Sequence, residues 1–175
     1  MPFFTFERRG FMKKVAIIMG SDSDLPVVEK AINTLVEFGV PHEVHVFSAH
    51  RTPEESKEFS QNAAKNGFGV IIAAAGMAAH LAGAIAANTL LPVIGIPVKA
   101  AAFDGMDALL STVMMPPGIP VATVGVNGAQ NAALLAIQIL AVSDASLSDK
   151  LAEQRKAGYE KVLEKNKNIE EKYNN

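Results

Sequence analysis

Between Asn66 and Ser143 the chain carries only three charged side chains, Lys99, Asp104 and Asp107, in 78 residues. Its 16 basic and 18 acidic side chains make 34 charges in all, so the two ends hold the other 31. A stretch so poor in charge is too apolar to stay disordered. It has to be buried in a core, in a subunit interface or in a bilayer.

The bilayer reading rests on Val70–Val98, which contains no Asp, Glu, Lys or Arg. A window of about 20 apolar residues can span a membrane. Here glycines, His80, Asn88, Pro92 and Pro97 interrupt it, and much of it is Ala, which inserts weakly. The 27 alanines and an aromatic content of 6% describe small, aliphatic packing, so a soluble core without membrane contact is expected. A length of 175 residues suits one domain with a sizeable core. A net charge of −2 lacks the basic footprint of a nucleic-acid binder. Without cysteine there is no disulfide framework and no thiolate metal site. The start, Met1–Phe11, holds Arg8 and Arg9 but no apolar run or cleavage site of a secretory signal. Met12-Lys13-Lys14 reads as a second start. Residues 1–12 are therefore expected to be an N-terminal extension or tag remnant, and the protein cytoplasmic.

Val15–Met19 is a short apolar run closed by Gly20, the pattern of a strand buried on both faces. Ser21-Asp22-Ser23-Asp24 and Pro26 signal a helix start. Val27, Val28, Ala31, Leu35 and Phe38 follow at helical spacing up to Gly39. Glu43–Phe47 alternates as a second strand. Thr52 and Pro53 open a helix that Gly67 ends, and Gly69–Ala74 is a third strand. Residues 78–89, nearly all Ala, Leu and Ile, predict a helix buried on most sides. Pro92–Pro97 is a fourth strand, 104–114 a helix, Val121–Val124 a fifth strand and 129–142 another Ala-rich helix. Strand and helix thus alternate five times, which implies right-handed crossovers and a parallel sheet covered on both faces.

The tail differs in kind. Twelve of the 23 residues from Lys150 to Lys172 are charged, and Leu151, Tyr159, Val162, Leu163, Ile169 and Tyr173 recur near helical spacing. This predicts a long amphipathic helix, packed on its own domain or on a neighbouring subunit. The expected division is an α/β catalytic domain over 13–146 and a C-terminal amphipathic helix over 147–175.

In an open parallel sheet, ligands bind beyond the carboxyl ends of the strands, where strand order reverses. Three turns fall at such ends: Gly20–Asp24, Ser48–Pro53 and Ala75–Leu81. Hydroxyls, helix-start amides and an arginine are the parts that hold a phosphate, and Ser21, Ser23 and Arg51 supply them. Asp24 accepts hydrogen bonds only and suits a ribose diol. The same residues also suit a plain helix cap. Neither a dinucleotide fingerprint nor a Walker loop is present. His50, beside Arg51, can exchange protons near neutral pH, or it is an ordinary loop histidine. His80, in an apolar turn, is expected to be a satisfied buried histidine, and His42 and His45 carry no chemistry. No metal-binding histidine spacing exists, so no metal is expected.

Gly20-Ser21-Asp22-Ser23-Asp24, Ser48-Ala49-His50-Arg51-Thr52-Pro53, Ala78-Ala79-His80-Leu81, Met115-Pro116, Gly118-Ile119-Pro120-Val121 and Asn131–Ala136 occur in this order. As a set, they resemble the PurE family of purine biosynthesis, over nearly the whole chain from about Lys13. Pattern and resemblance together give the expected fold: an α/β three-layer sandwich, flavodoxin-like, with a parallel five-stranded sheet, helices on both faces and a C-terminal helix.

The sequence His50-Arg51-Thr52-Pro53 looks like the class I form, N5-carboxyaminoimidazole ribonucleotide mutase, an isomerase. The resemblance implies that it moves a carboxyl group from the exocyclic amine to ring carbon C4, giving 4-carboxyaminoimidazole ribonucleotide. It implies that Ser21, Ser48 and Arg51 bind the phosphate, that Asp24 binds the ribose and that His50 is the catalytic proton shuttle. Ala49, Gly76, Ala78, His80 and Leu81 are further substrate-binding candidates. No cofactor is implied, and the family forms octamers. Faces of the charge-poor helices over 78–89 and 129–142 would then pack against other subunits, since obligate interfaces resemble a core cut in half. The family usually has Gly at the positions of Ala74 and Met77, and Pro at that of Ala82. If position 77 requires a positive φ, methionine is costly there. Two alternatives stand beside the mutase: direct carboxylation of aminoimidazole ribonucleotide by carbon dioxide, and a non-catalytic nucleotide-binding module. A flavin-binding relative is disfavoured, because no aromatic pair flanks a flavin-type loop.

Overall fold

The computed structural model describes residues 12–174, so the expected N-terminal extension lies, save for Met12, outside the described residues. Five strands, β1 (Lys14–Met19), β2 (His42–Val46), β3 (Phe68–Gly76), β4 (Val93–Val98) and β5 (Ala122–Thr123), form one sheet. All pairings are parallel, and the order is β2-β1-β3-β4-β5. This is the flavodoxin-like order, in which the chain reverses direction across the sheet between β1 and β3.

The apolar runs sort onto two faces as a pleated strand requires. Val15, Ile17 and Met19 of β1, Val70, Ile72 and Ala74 of β3, and Ile94 and Ile96 of β4 face one core. That side is covered by α1 (Leu25–Phe38), α5 (Ala129–Ala141) and the start of α6 (Ala145–Tyr173). Ala16, Ile18, Ile71, Ala73 and Val93 face the other core. There they meet α3 (Leu81–Ala86) and the region of α2 (Pro53–Asn62), with α4 (Met106–Val113) packed alongside on β4. β2 and the two-residue β5 are the edges and are only partly covered.

Several elements are shorter than the sequence predicts, among them α4, which spans Met106–Val113 and not 104–114. α2 stops at Asn62 and not near Gly67, because residues 63–67 unwind into hydrogen-bonded turns: Gly67 N–H donates to Ala64 O (3.2 Å) and Phe68 N–H to Ala63 O (3.1 Å). The helix predicted over 78–89 is confined to Leu81–Ala86. Residues before it are spent turning out of β3. After it, the Asn88 amide donates to Ala84 O (2.8 Å) and Thr89 Oγ1 accepts from Leu91 N–H (3.2 Å). Such local side-chain bonds compete with a further helical turn. β5 pairs only through Ala122 and Thr123 before the chain leaves the edge.

α6 is a single helix of 29 residues. Asp144 caps it, its Oδ1 accepting from Ser146 and Leu147 N–H at 3.0 and 3.4 Å. Leu147 is fully buried, and Lys150 Nζ donates to Phe38 O at 2.7 Å. From Arg155 to Tyr173 every residue is exposed. No described helix is long and apolar enough to cross a membrane.

Gly95 marks how closely α4 approaches the sheet. A Cβ there would collide with Thr112 Cγ2 and lie 3.2 and 3.3 Å from Val121 Cγ1 and Ala82 Cβ. Thr112 is held in place by its own hydroxyl, which donates to Ala108 O at 2.7 Å. Gly95→Ala is expected to overpack this layer and to lower stability by about 1–3 kcal/mol. Chemical denaturation checks this, with a correspondingly lower unfolding midpoint as the expected result.

Candidate active site

The carboxyl ends of β1 to β4 open into one cavity of about 660 Å³. Its volume falls within the roughly 300–1,000 Å³ usual for small-molecule sites. The turn after β1 contributes Gly20, Ser21, Ser23 and Asp24, and the loop after β2 contributes Ser48 to Arg51. The end of β3 and its turn bring Ala75, Gly76, Met77 and Ala79, followed by Leu81 at the start of α3. Val98 to Ala100 close the wall beyond β4. The cavity thus straddles the β1/β3 reversal point, where a parallel sheet leaves room for a ligand.

Backbone ties hold the first two turns to the sheet. Gly20 N–H donates to Ala74 O and Phe47 N–H to Met19 O, each at 3.0 Å. The β1 turn is a short 3-10 helix with a reciprocal cap: Ser21 Oγ accepts from Ser23 N–H (3.4 Å) and Asp24 Oδ2 from Ser21 N–H (3.2 Å). The cap reading and the ligand reading therefore coexist, since Ser21, Ser23 and Asp24 both cap the turn and line the cavity. In the next loop Thr52 Oγ1 accepts from Ser48 N–H (2.8 Å), and Ser48 Oγ accepts from Arg51 N–H (3.2 Å). The Arg51 guanidinium reaches across to Gly20 O through Nη2 at 3.0 Å and to Ser48 Oγ through Nε at 3.4 Å. The arginine thereby joins the two turns, and the Ser21, Ser23 and Ser48 side chains line the same cavity. This is the equipment an anionic oxygen cluster needs.

Among the described residues Asp24 is the one carboxylate in the cavity wall, and only 7% of it is exposed. Burial pushes its carboxyl above the usual carboxylate range; the Ser21 N–H bond pulls it back, and the neighbouring Asp22 charge adds to the rise. A carboxylate kept ionised at neutral pH in such a place is destabilising to the fold and available to a hydroxyl-bearing ligand.

Of the predicted residues, Ser21, Asp24, Ser48, Ala49, His50, Arg51, Gly76 and Leu81 line the cavity together. Ala78 and His80 do not. His80, expected to be buried, is exposed at the start of α3. Its ring lies over Gly83, and Nδ1 sits 2.8 Å from Ser111 O of α4, so it joins two helices at the surface. His50 is also exposed, at the tip of its loop on the cavity wall. His42 and His45 lie on β2 away from the cavity; His45 stacks on Phe47 at 5.2 Å between ring centroids and meets Phe59 at a tilt, at 4.8 Å. Among the described residues no three His, Asp or Glu side chains converge as a metal site would require.

Sequence reading missed Ala75, Ala79, Val98, Lys99 and Ala100 as lining residues, and it singled out Met77 only for its backbone. Lys99 had a usable signal, as the lone cation in the charge-poor middle and placed just past a predicted strand. Its ammonium pairs with Asp104 Oδ1 at 2.8 Å in an exposed bridge. Met77 has φ 56°, the left-handed conformation in question for that position. A non-glycine residue there costs about 1–2 kcal/mol. Next to it Gly76 passes close to β4: a Cβ would lie 3.3 Å from Val98 O.

Two larger hollows, of about 870 and 840 Å³, lie elsewhere. One is an uncharged recess at the opposite end of the sheet around Pro92 and Pro120, and the other is a groove between α1 and α6. Neither gathers an arginine, hydroxyls and a histidine at strand ends, and the smaller cavity is the better candidate on chemistry.

Asp24→Asn keeps an acceptor for Ser21 N–H but removes the buried charge. Because folding raises this group's pKa, its contribution favours the fold below the ordinary carboxylate range and is lost as pH rises through the folded value. Asp24→Asn is therefore expected to raise Tm at pH 7, with the gain fading as pH falls through the folded value and gone below about 4. Thermal denaturation across pH checks this; an advantage for the variant that grows on acidification would contradict it.

The AIR carboxylase family profile matches residues 14–161. A Pyrococcus horikoshii protein named N5-carboxyaminoimidazole ribonucleotide mutase is 55% identical over 157 residues, covering 90% of this chain and 89% of that one. A Saccharomyces cerevisiae protein named phosphoribosylaminoimidazole carboxylase is 51% identical over 156 residues, covering 89% of this chain and 27% of that longer one. The crystal structure of Treponema denticola PurE superposes with a TM-score of 0.80 at 28% identity, covering 89% of this chain and 98% of that one. With the fold, the strand-end cavity and a match of this extent in agreement, the chain belongs to the AIR carboxylase family.

Proposed function

We propose that this protein is an N5-carboxyaminoimidazole ribonucleotide mutase acting in purine biosynthesis. The observation that carries the reading is the meeting of Arg51, the hydroxyls of Ser21 and Ser48, Asp24 and His50 around one cavity at the sheet's reversal point. The name borne by the Pyrococcus horikoshii relative supports it.

In this reading Ser21, Ser48 and Arg51 take the 5′-phosphate, and Asp24 accepts from the ribose hydroxyls. The aminoimidazole ring then lies between His50 and the turn after β3. The bond between the exocyclic nitrogen and the carboxyl carbon breaks as a proton reaches that nitrogen, giving carbon dioxide and the free amine. Ring carbon C4 attacks the carbon dioxide, and the proton on C4 leaves to restore the aromatic ring. One proton is delivered and one recovered, so a single imidazole serves both steps and returns to its starting state. Holding carbon dioxide beside the nucleophilic carbon replaces a bimolecular encounter with an intramolecular one.

The name of the yeast relative favours a second reading, direct carboxylation of the free amine. Supplying each ribonucleotide separately and following the product distinguishes them. The mutase is expected to convert the N-carboxylated substrate without added bicarbonate, and turnover of the free amine plus carbon dioxide alone would sink it. His50→Asn is expected to lower kcat by about 10²–10⁴-fold, the usual share of a proton-transfer group, with ligand affinity little changed. An unchanged rate would instead favour a non-catalytic nucleotide-binding module.

The chain also reads as a homo-oligomer, an octamer by its family. Met106, Leu110, Val113 and Met114 on and just after α4 are 47 to 75% exposed, and Leu90 is wholly exposed. An apolar row of this kind is typical of a surface that another subunit covers. Sedimentation velocity is expected to show a single large species at micromolar concentration; a monomer would overturn it.

A further inference from the structure

Helix α1 ends without a cation of its own. Its last turn holds no basic residue and does hold Glu37, a negative charge at the negative end of the helix dipole. Gly39, at φ 70°, closes the helix: its N–H points back to Leu35 O and Val36 O, and Val40 N–H donates to Leu35 O at 2.9 Å. Phe38 O lies outside that closure and accepts from Lys150 Nζ at 2.7 Å. The missing cation thus comes from α6, 112 residues further along the chain. A hydrogen bond from an ammonium is stronger than one between neutral groups, and at a helix C-terminus it also meets the dipole.

The other holds of α6 lie close by, at its base. Leu147 is fully buried, and Leu151 packs partly buried against the same core, beside Leu134 and Leu135 of α5. These two leucines are four residues apart and share one face of the helix. A helix held along one line can still pivot about it. Lys150 lies off that line, by about 60° of helical turn from Leu147 and about 100° from Leu151, and it reaches a different helix. Between α1 and α6 runs the groove of about 840 Å³, lined by Glu37 of α1 and Lys161 of α6 among others. From Arg155 to Tyr173 all 19 residues are exposed. At 1.5 Å per residue they reach about 28 Å past the base, so a tilt of about 10° moves the tip by about 5 Å.

We propose that Lys150 is the positioning residue of the tail: its ammonium, capping α1 across the groove, fixes the angle at which α6 leaves the domain. That angle decides where Tyr159, Val162, Leu163, Ile169 and Tyr173, each 50 to 66% exposed, are carried. The angle is a property of one protomer and is independent of the reaction. Its consequence for assembly rests on the homo-oligomer reading above: a second copy meets these residues in one place only while Lys150 holds.

The chain has no cysteine, so Glu29→Cys on α1 and Glu171→Cys near the end of α6, both exposed positions, take one spin label each. Pulsed dipolar spectroscopy, with labelled protein diluted into unlabelled protein, reads the distance within one protomer. With Lys150 in place a single narrow distribution is expected. Lys150→Met keeps the length of the side chain and loses its charge; it is expected to shift or broaden the distribution by at least about 5 Å. Lys150→Arg keeps the charge and is expected to give the wild-type distribution. A contact that only stabilises the fold would lower Tm and leave the distance alone, and that result overturns the proposal. A broad distribution in the wild type, or one in Lys150→Arg as broad as in Lys150→Met, overturns it too. In sedimentation velocity Lys150→Met is expected to weaken assembly at least about threefold in Kd. Unchanged assembly beside a changed distance refutes the consequence and keeps the angle. If the wild type is itself a monomer, the homo-oligomer reading fails, while the distance still decides the angle.

Discussion

Strands β1, β3 and β4 are sealed on both faces, and everything else in the molecule follows from that. A strand with helices above and below has no lateral surface left for polar chemistry. Its only contact with water is through its ends. The two ends are not equivalent, because parallel strands leave all their carboxyl termini on one side and the crossovers diverge only between β1 and β3. The cavity occupies that gap. Ser21, Arg51, Gly76 and Lys99 lie far apart in sequence and come together because each ends or follows a strand of the same sheet.

The cavity wall is also where the fold is least comfortable. Asp24 is a carboxyl group that burial makes harder to ionise, and Met77 sits in a backbone conformation that its side chain disfavours. Neither is needed to hold the sheet together, which the aliphatic residues of β1, β3 and β4 do unaided. Stability is given up locally at the wall, within a few residues of His50 and Arg51 in space. A rigid and well-buried sheet can tolerate such losses at its rim.

Much of this was legible in the sequence. The apolar runs at Val15–Met19 and Gly69–Ala74 each span one buried strand, and the turn residues after them mark the carboxyl ends. What was not legible depends on geometry that local pattern does not encode. The alanine-rich segment after Met77 reads as one long helix by composition, yet Asn88 and Thr89 bond to nearby backbone and end it after two turns. His80 reads as buried because its neighbours are apolar, but the turn leaves its ring on the surface between α3 and α4. Lys99 joins the cavity only through the placement of β4 beside β3, which no spacing in the sequence reveals. The strain at Met77 was foreseeable only as a condition, because a φ angle belongs to the folded turn.

From Arg155 to Tyr173 every residue of the last helix is exposed in the protomer, yet the helix continues for several turns. In proteins most of a helix's stability comes from packing of its apolar face and not from propensity. The protection of its amides from solvent exchange is therefore set from outside the protomer. The tail acts as a gauge of its surroundings: fast exchange along Tyr159–Tyr173 marks a lone chain, and slow exchange marks one whose tail a neighbour has covered.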